Sequence, residues 1–121
     1  MRKARKAKSE ALALVLRSLE DAKAEELLPI DVTGRASFAD HLVVASGRSH
    51  RHVTAIANRL LDEMKSAGFA GARVEGLRAA DWVLIDLGDI VVHIFRPEVR
   101  SFYNIEKHWQ APEDDAATGT A

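Results

Sequence analysis

Apolar residues recur at Leu12, Val15, Leu16 and Leu19, and Ala22 continues the same stripe. This 3.6-residue period predicts an amphipathic helix from Ser9, a good N-cap, to about Glu26. Leu27 to Val32 then reads as a short apolar strand, and the turn-rich stretch from Thr33 to Asp40 connects it to a second strand at His41 to Ser46, its expected neighbour. Gly47-Arg48-Ser49 stops that strand and caps a second helix, with Val53, Ile56, Ala57, Leu60 and Met64 as its buried stripe and Gly68 as its end. After a short strand around Ala72 to Glu75, two β-rich runs meet at Gly88-Asp89, which reads as a tight hairpin between Trp82 and Phe95. Pro97 ends the last strand, and Glu98 to Trp109 is expected to form one closing helix. The order predicts an α/β protein of the α+β type: a single mixed sheet of about five strands packed with helices.

The hairpin carries the most information. With Gly88 and Asp89 in the turn, Leu87 opposes Ile90, Ile85 opposes Val92 and Val83 opposes Ile94, so one face is wholly aliphatic and belongs to the core. The other face presents Trp82, Leu84 and Asp86 beside Phe95, His93 and Val91. Large aromatics next to one acid and one imidazole suit an interface, because aromatics offer contact area at low entropic cost and a carboxylate at the margin selects a basic partner. The alternative is that a helix covers this face too, with Asp86 and His93 paired at its edge. The same apolar face is also a candidate for homodimerisation when the protein is free.

Length and composition narrow the picture. The 121 residues fit one domain, and 47% hydrophobic with 29% charged residues is an ordinary globular balance. There is no cysteine, which removes disulfides and thiolate chemistry and fits a cytoplasmic location. No apolar run approaches the roughly 20 residues of a membrane span. Residues 1–8 carry five bases and are expected to be a flexible basic tail, residues 9–110 the folded domain, and 111–121 a flexible acidic tail. Between Ser9 and Gln110 there are 12 basic and 15 acidic residues. Such a body does not grip nucleic acid through its main surface, and only the basic tail suits a minor contact with RNA.

Candidate chemistry is sparse. His41, His50, His52, His93 and His108 do not sit at ligand spacing with carboxylates, so no metal is expected. Gly47 to His50 lacks the further glycines and lysine of a phosphate loop, although Arg48 and Arg51 could meet an anion there. Asp86 and Asp89 flank Gly88 as a conceivable carboxylate pair, but one lies on a strand and the other in the turn, and no nucleophile is activated nearby. No cofactor and no catalytic residue is assigned.

The runs Asp40 to Gly47, Arg73 to Gly76, Trp82 to Phe95 and Arg96 to Tyr103, together with Trp109, resemble the ribosomal silencing factor or Iojap family, over about residues 11–109. The chain departs from the usual family pattern at His41, Leu42 and Leu87, where aromatics are common, and at Asn104, often aspartate. The resemblance implies a nucleotidyltransferase-like core without catalytic residues. It also implies docking on the large ribosomal subunit through ribosomal protein L-fourteen, which would block small-subunit joining and repress translation under nutrient limitation. Carried onto this chain, the partner-facing residues are Trp82, Leu84, Asp86 and His93, with Tyr103, and Glu98 as a second acid for basic groups of the partner. The rival expectations are a large-subunit assembly factor and a reduced nucleotidyltransferase-type enzyme.

Overall fold

The computed structural model describes residues 2–69 and 71–110; the expected acidic tail at 111–121 lies outside the described residues. Helix α1 spans Arg2–Asp21. It begins ahead of the expected Ser9, since the arginines, lysines and alanines there are good helix formers. It also stops five residues short of Glu26. Lys23 adopts φ 65°, its N–H donates to the Glu20 carbonyl at 3.0 Å, and the Ala24 N–H reaches back to the Leu19 carbonyl at 2.9 Å. That pair of bonds is a Schellman ending with lysine in the left-handed position that glycine usually takes.

Strand β1 (Glu25–Asp31) pairs antiparallel with β2 (His41–Ser46), and the register shifts between Glu25 and Leu28. Glu26, with φ 47°, lies in that irregularity. Helix α2 spans His50–Ser66, capped by the Ser49 hydroxyl accepting from the His52 N–H, and buries Val53, Ile56, Ala57, Leu60 and Met64 as the periodicity predicts. Strand β3 (Arg73–Glu75) is followed by the hairpin β4 (Trp82–Asp86) and β5 (Ile90–Phe95). Its register is the expected one: Val83 faces Ile94 and Ile85 faces Val92, the Leu87 N–H bonds the Ile90 carbonyl, and Gly88 takes φ 93°.

The sheet order is β1-β2-β5-β4-β3. Strands β2 and β5 run parallel, with α2, β3 and β4 between them in the chain, while β1–β2, β4–β5 and β3–β4 are antiparallel. This is the expected mixed five-stranded sheet. On one face α1 and α2 pack over Val43, Ala45, Val83, Ile85, Val92 and Ile94. Each fully buried aliphatic side chain there is worth about 1.5–3 kcal/mol of transfer free energy, and this layer forms the principal core.

The closing segment is two helices instead of one: α3 (Pro97–Tyr103) and α4 (Ile105–Gln110). Asn104 between them is left-handed (φ 50°, ψ 46°), which redirects the chain. Val99, Ile105 and Trp109 from these helices, with Val32, Ala36 and Ala39 from the β1–β2 connection, build a second, smaller cluster on Leu42, Val44, Val91 and Phe95.

Candidate functional site

Alternation along β4 and β5 sends Trp82, Leu84, Asp86, Val91, His93 and Phe95 to the side of the sheet away from α1 and α2. Phe95, Val91 and His93 are buried there, whereas Trp82, Leu84 and Asp86 are half-buried. Neither expectation for this face holds alone: short helices cover part of it and leave the β4 side accessible. A groove of ≈ 370 Å³ remains, floored by Leu42, Leu84, Val91 and His93, walled by Phe38, Ile105 and Trp109, with Asp86 at the hairpin end.

His93 does not pair with Asp86. Its Nδ1 accepts the Trp82 indole N–H at 3.0 Å, which places the ring proton of the neutral form on Nε2. Burial pushes the His93 pKa down from 6.5 to about 4, so the ring is neutral at physiological pH. Asp86 instead turns Oδ1 to the Gly88 N–H at 2.9 Å, fastening the hairpin turn. Asp89 sits in that turn, and its carbonyl accepts the N–H groups of Asp40 and His41.

The aromatic residues form a connected series. Fully buried Phe95 lies 4.9 Å from Trp82 between ring centroids, and Trp82 lies 4.7 Å from Tyr103 on α3. Tyr103 is 52% exposed and meets Phe102 edge-on at 5.1 Å; Phe102 is 81% exposed. Across the groove, Phe38 meets Trp109 edge-on at 5.7 Å. The structure therefore gathers Trp82, Leu84, Asp86, His93 and Tyr103 into one surface. Glu98 stands apart from the groove lining: it is exposed in the first turn of α3 and ion-paired with Arg96, which also lies 3.2 Å from Asp81.

Two features escaped the sequence reading. Phe102, Phe38 and Trp109 belong to this surface, and the adjacent Phe-Tyr pair beyond Pro97 was the signal that could have pointed to the first. The other is Arg100, only 7% exposed. Its Nε donates to Glu106 Oε1, and its Nη1 donates to the Glu26 carbonyl and to Ser46 Oγ, all at 2.8 Å. This guanidinium ties α3 to α4 and both to the β1 irregularity and the end of β2, and so sets the position of the groove wall.

The strand-to-helix junction before α2 is occupied by fold contacts. Arg48 pairs with Glu25 at 3.6 Å and its N–H donates to His52 Nδ1 at 2.9 Å, while His52 Nε2 bonds the Ala22 carbonyl at 2.9 Å, joining the end of α1 to the start of α2. His50 lies 2.8 Å from Asp81. Among the described residues no three histidines or acids gather as a metal site would require, and no helix is long and apolar enough to cross a membrane.

The fold and this surface define an α+β domain with one sheet face closed by two long helices and the other left as a half-covered aromatic groove. Residues 5–120 match the family model described as "Ribosomal silencing factor during starvation", and the chain belongs to that family, whose role is regulatory. Ribosomal silencing factor RsfS of Zymomonas mobilis is 55% identical over 98 residues, 81% of this chain and 74% of its own length. The protein of the same name from Bacillus subtilis is 38% identical over 109 residues, 89% of this chain and 92% of its own. A mouse protein named for mitochondrial assembly of the ribosomal large subunit is 32% identical over 94 residues, 75% of this chain and 41% of its own. A crystal structure from Chromobacterium violaceum superposes with a TM-score of 0.82 at 36% identity, covering 86% of this chain and 87% of that one.

Proposed function

We propose that this protein silences translation by docking its half-covered sheet face on the large ribosomal subunit at ribosomal protein L-fourteen, where its bulk keeps the small subunit from joining when nutrients are scarce. The observation that carries this reading is an open apolar groove lined by Leu84 and His93 with Asp86 at one end, continued beside it by Trp82, which packs on His93, and by Tyr103, which packs on Trp82. A basic ribosomal protein complements that carboxylate and the acidic excess of the body, which at the same time disfavours bare RNA. The basic residues before Ser9 supply at most a minor contact with ribosomal RNA. A standard interface takes roughly 800 Å² from each partner, about a tenth of the 7726 Å² this protein exposes. Steric exclusion needs no catalysis, no cofactor and no metal, and the site of action is the cytoplasm. A homodimer formed through the same face would compete with docking.

The test is co-sedimentation of the purified protein with separated subunits and with isolated ribosomal protein L-fourteen. Leu84→Arg, at a half-buried groove position, is the informative variant. Wild type is expected to travel with the large subunit only, and the variant to lose that association while its circular dichroism stays native. Equal binding to both subunits, or binding by the variant at wild-type strength, contradicts the reading. The mouse relative's name favours a second reading, assembly of the large subunit. Accumulation of precursor large subunits on depletion, with subunit joining unaffected, distinguishes it.

A further inference from the structure

We infer that Phe102 is the principal anchor of the docking surface, a preorganised aromatic knob that enters an apolar pocket edged by lysine or arginine on a protein partner. This rests on the docking reading above and adds to it the residue and the chemistry of its receptor. Among the described residues Phe102 is the most exposed of the large apolar side chains, at 81%, against 52% for Tyr103 and 53% for Phe38. An isolated exposed phenylalanine would need no explanation, but this one is built upon. It stands at the end of a series running outward from the core: Phe95 against Trp82 at 4.9 Å, Trp82 against Tyr103 at 4.7 Å, Tyr103 against Phe102 at 5.1 Å with the rings at 79°. Its helix is fixed by the Arg100 bonds to Glu26, Ser46 and Glu106. A ring held in place before binding loses little freedom on association, which is what makes an aromatic residue a strong anchor.

Charge selects the partner. Glu98 lies four residues before Phe102 on α3 and therefore on the same side of the helix. Asp81 and Glu98 share the single guanidinium of Arg96, with His50 also on Asp81. One guanidinium between two carboxylates leaves the charge of Glu98 beside the knob incompletely balanced, which disfavours phosphates and suits a pocket rimmed by basic side chains. A protein receptor is thereby favoured over stacking on a ribosomal RNA base.

The experiment measures large-subunit affinity of wild type, Phe102→Ala and Phe102→Lys by fluorescence anisotropy of labelled full-length protein, with melting curves for each. Because the ring is exposed, both variants are expected to melt as wild type does. Phe102→Ala is expected to weaken binding about 30-fold or more, the scale of an interfacial hot spot, and Phe102→Lys further still. Wild-type binding with Phe102→Ala within about threefold of it overturns the anchor and leaves docking intact. Lysine at this position binding as well as or better than phenylalanine overturns the basic-rimmed protein pocket and favours RNA. Absence of wild-type binding overturns the docking reading itself.

Discussion

Replacing Arg100 by methionine keeps most of the side-chain stem and removes the guanidinium, so it isolates what the charge does. In the wild type that group makes three 2.8 Å hydrogen bonds, with side-chain exposures of 9% for Arg100 and 17% for its partner Glu106. Without it the Glu106 carboxylate is left largely desolvated and opposite a thioether, and the Glu26 carbonyl and Ser46 hydroxyl lose their donor. Breaking one side of a buried ion pair costs about 3–5 kcal/mol. With a urea slope of about 2 kcal/mol/M, this lowers the unfolding midpoint by about 2 M. The double variant Arg100→Met with Glu106→Leu removes the stranded charge and is expected to recover much of the loss, giving a coupling of about 1–3 kcal/mol in a double-mutant cycle. Equilibrium urea unfolding followed by tryptophan fluorescence measures all four corners. A loss below about 1 kcal/mol for Arg100→Met, or strict additivity, would mean that solvent screens the pair and that α3 and α4 are held by Val99, Ile105 and Trp109 alone.

Other perturbations probe other parts of the same framework. His93 has a folded pKa near 4 against 6.5 when free, so acidification protonates the unfolded chain first. Stability is little affected by this group above about pH 7 and falls as the pH drops toward 4, by roughly 2–3 kcal/mol at about pH 4.5; His93→Gln is expected to remove that component from urea titrations compared at about pH 7 and about pH 4.5. Gly76 and Gly88 both have positive φ, but a Cβ on Gly76 would lie 2.1 Å from the Trp82 carbonyl oxygen while one on Gly88 meets nothing within 4 Å. Gly76→Ala should therefore cost more than about 2 kcal/mol and Gly88→Ala nearer 1, measured by thermal unfolding. Lys23→Gly relieves the left-handed lysine that ends α1 and should stabilise the protein by about 1 kcal/mol.

The parts of the fold written in periodicity and in glycine were legible from the sequence. The α2 stripe from Val53 to Met64 and the β4–β5 register about Gly88-Asp89 are local patterns, and the fold follows them. Conformations set by context left no such mark. Lys23, Glu26 and Asn104 adopt positive φ without glycine: the end of α1 and the irregularity in β1 fell where no residue type announced them, whereas asparagine, which takes the left-handed conformation more readily than other non-glycine residues, was a faint signal for the break between α3 and α4. The surface was half legible for the same reason. Alternation brings Trp82, Leu84, Asp86 and His93 to one side of the sheet, but their burial depends on Ile105 and Trp109, which reach that face only because the chain turns at Asn104. The role of Arg100 depends on partners 54 and 74 residues away, beyond any local reading.

Subunit joining measured by light scattering addresses the central claim most directly. Large subunits preincubated with the protein are mixed with small subunits, and formation of whole ribosomes is followed over time. The account predicts that joining falls in proportion to large-subunit occupancy, and that Leu84→Arg, which cannot dock, leaves joining at the control rate. Whole ribosomes forming at the control rate on large subunits shown to be saturated with the wild-type protein would contradict it.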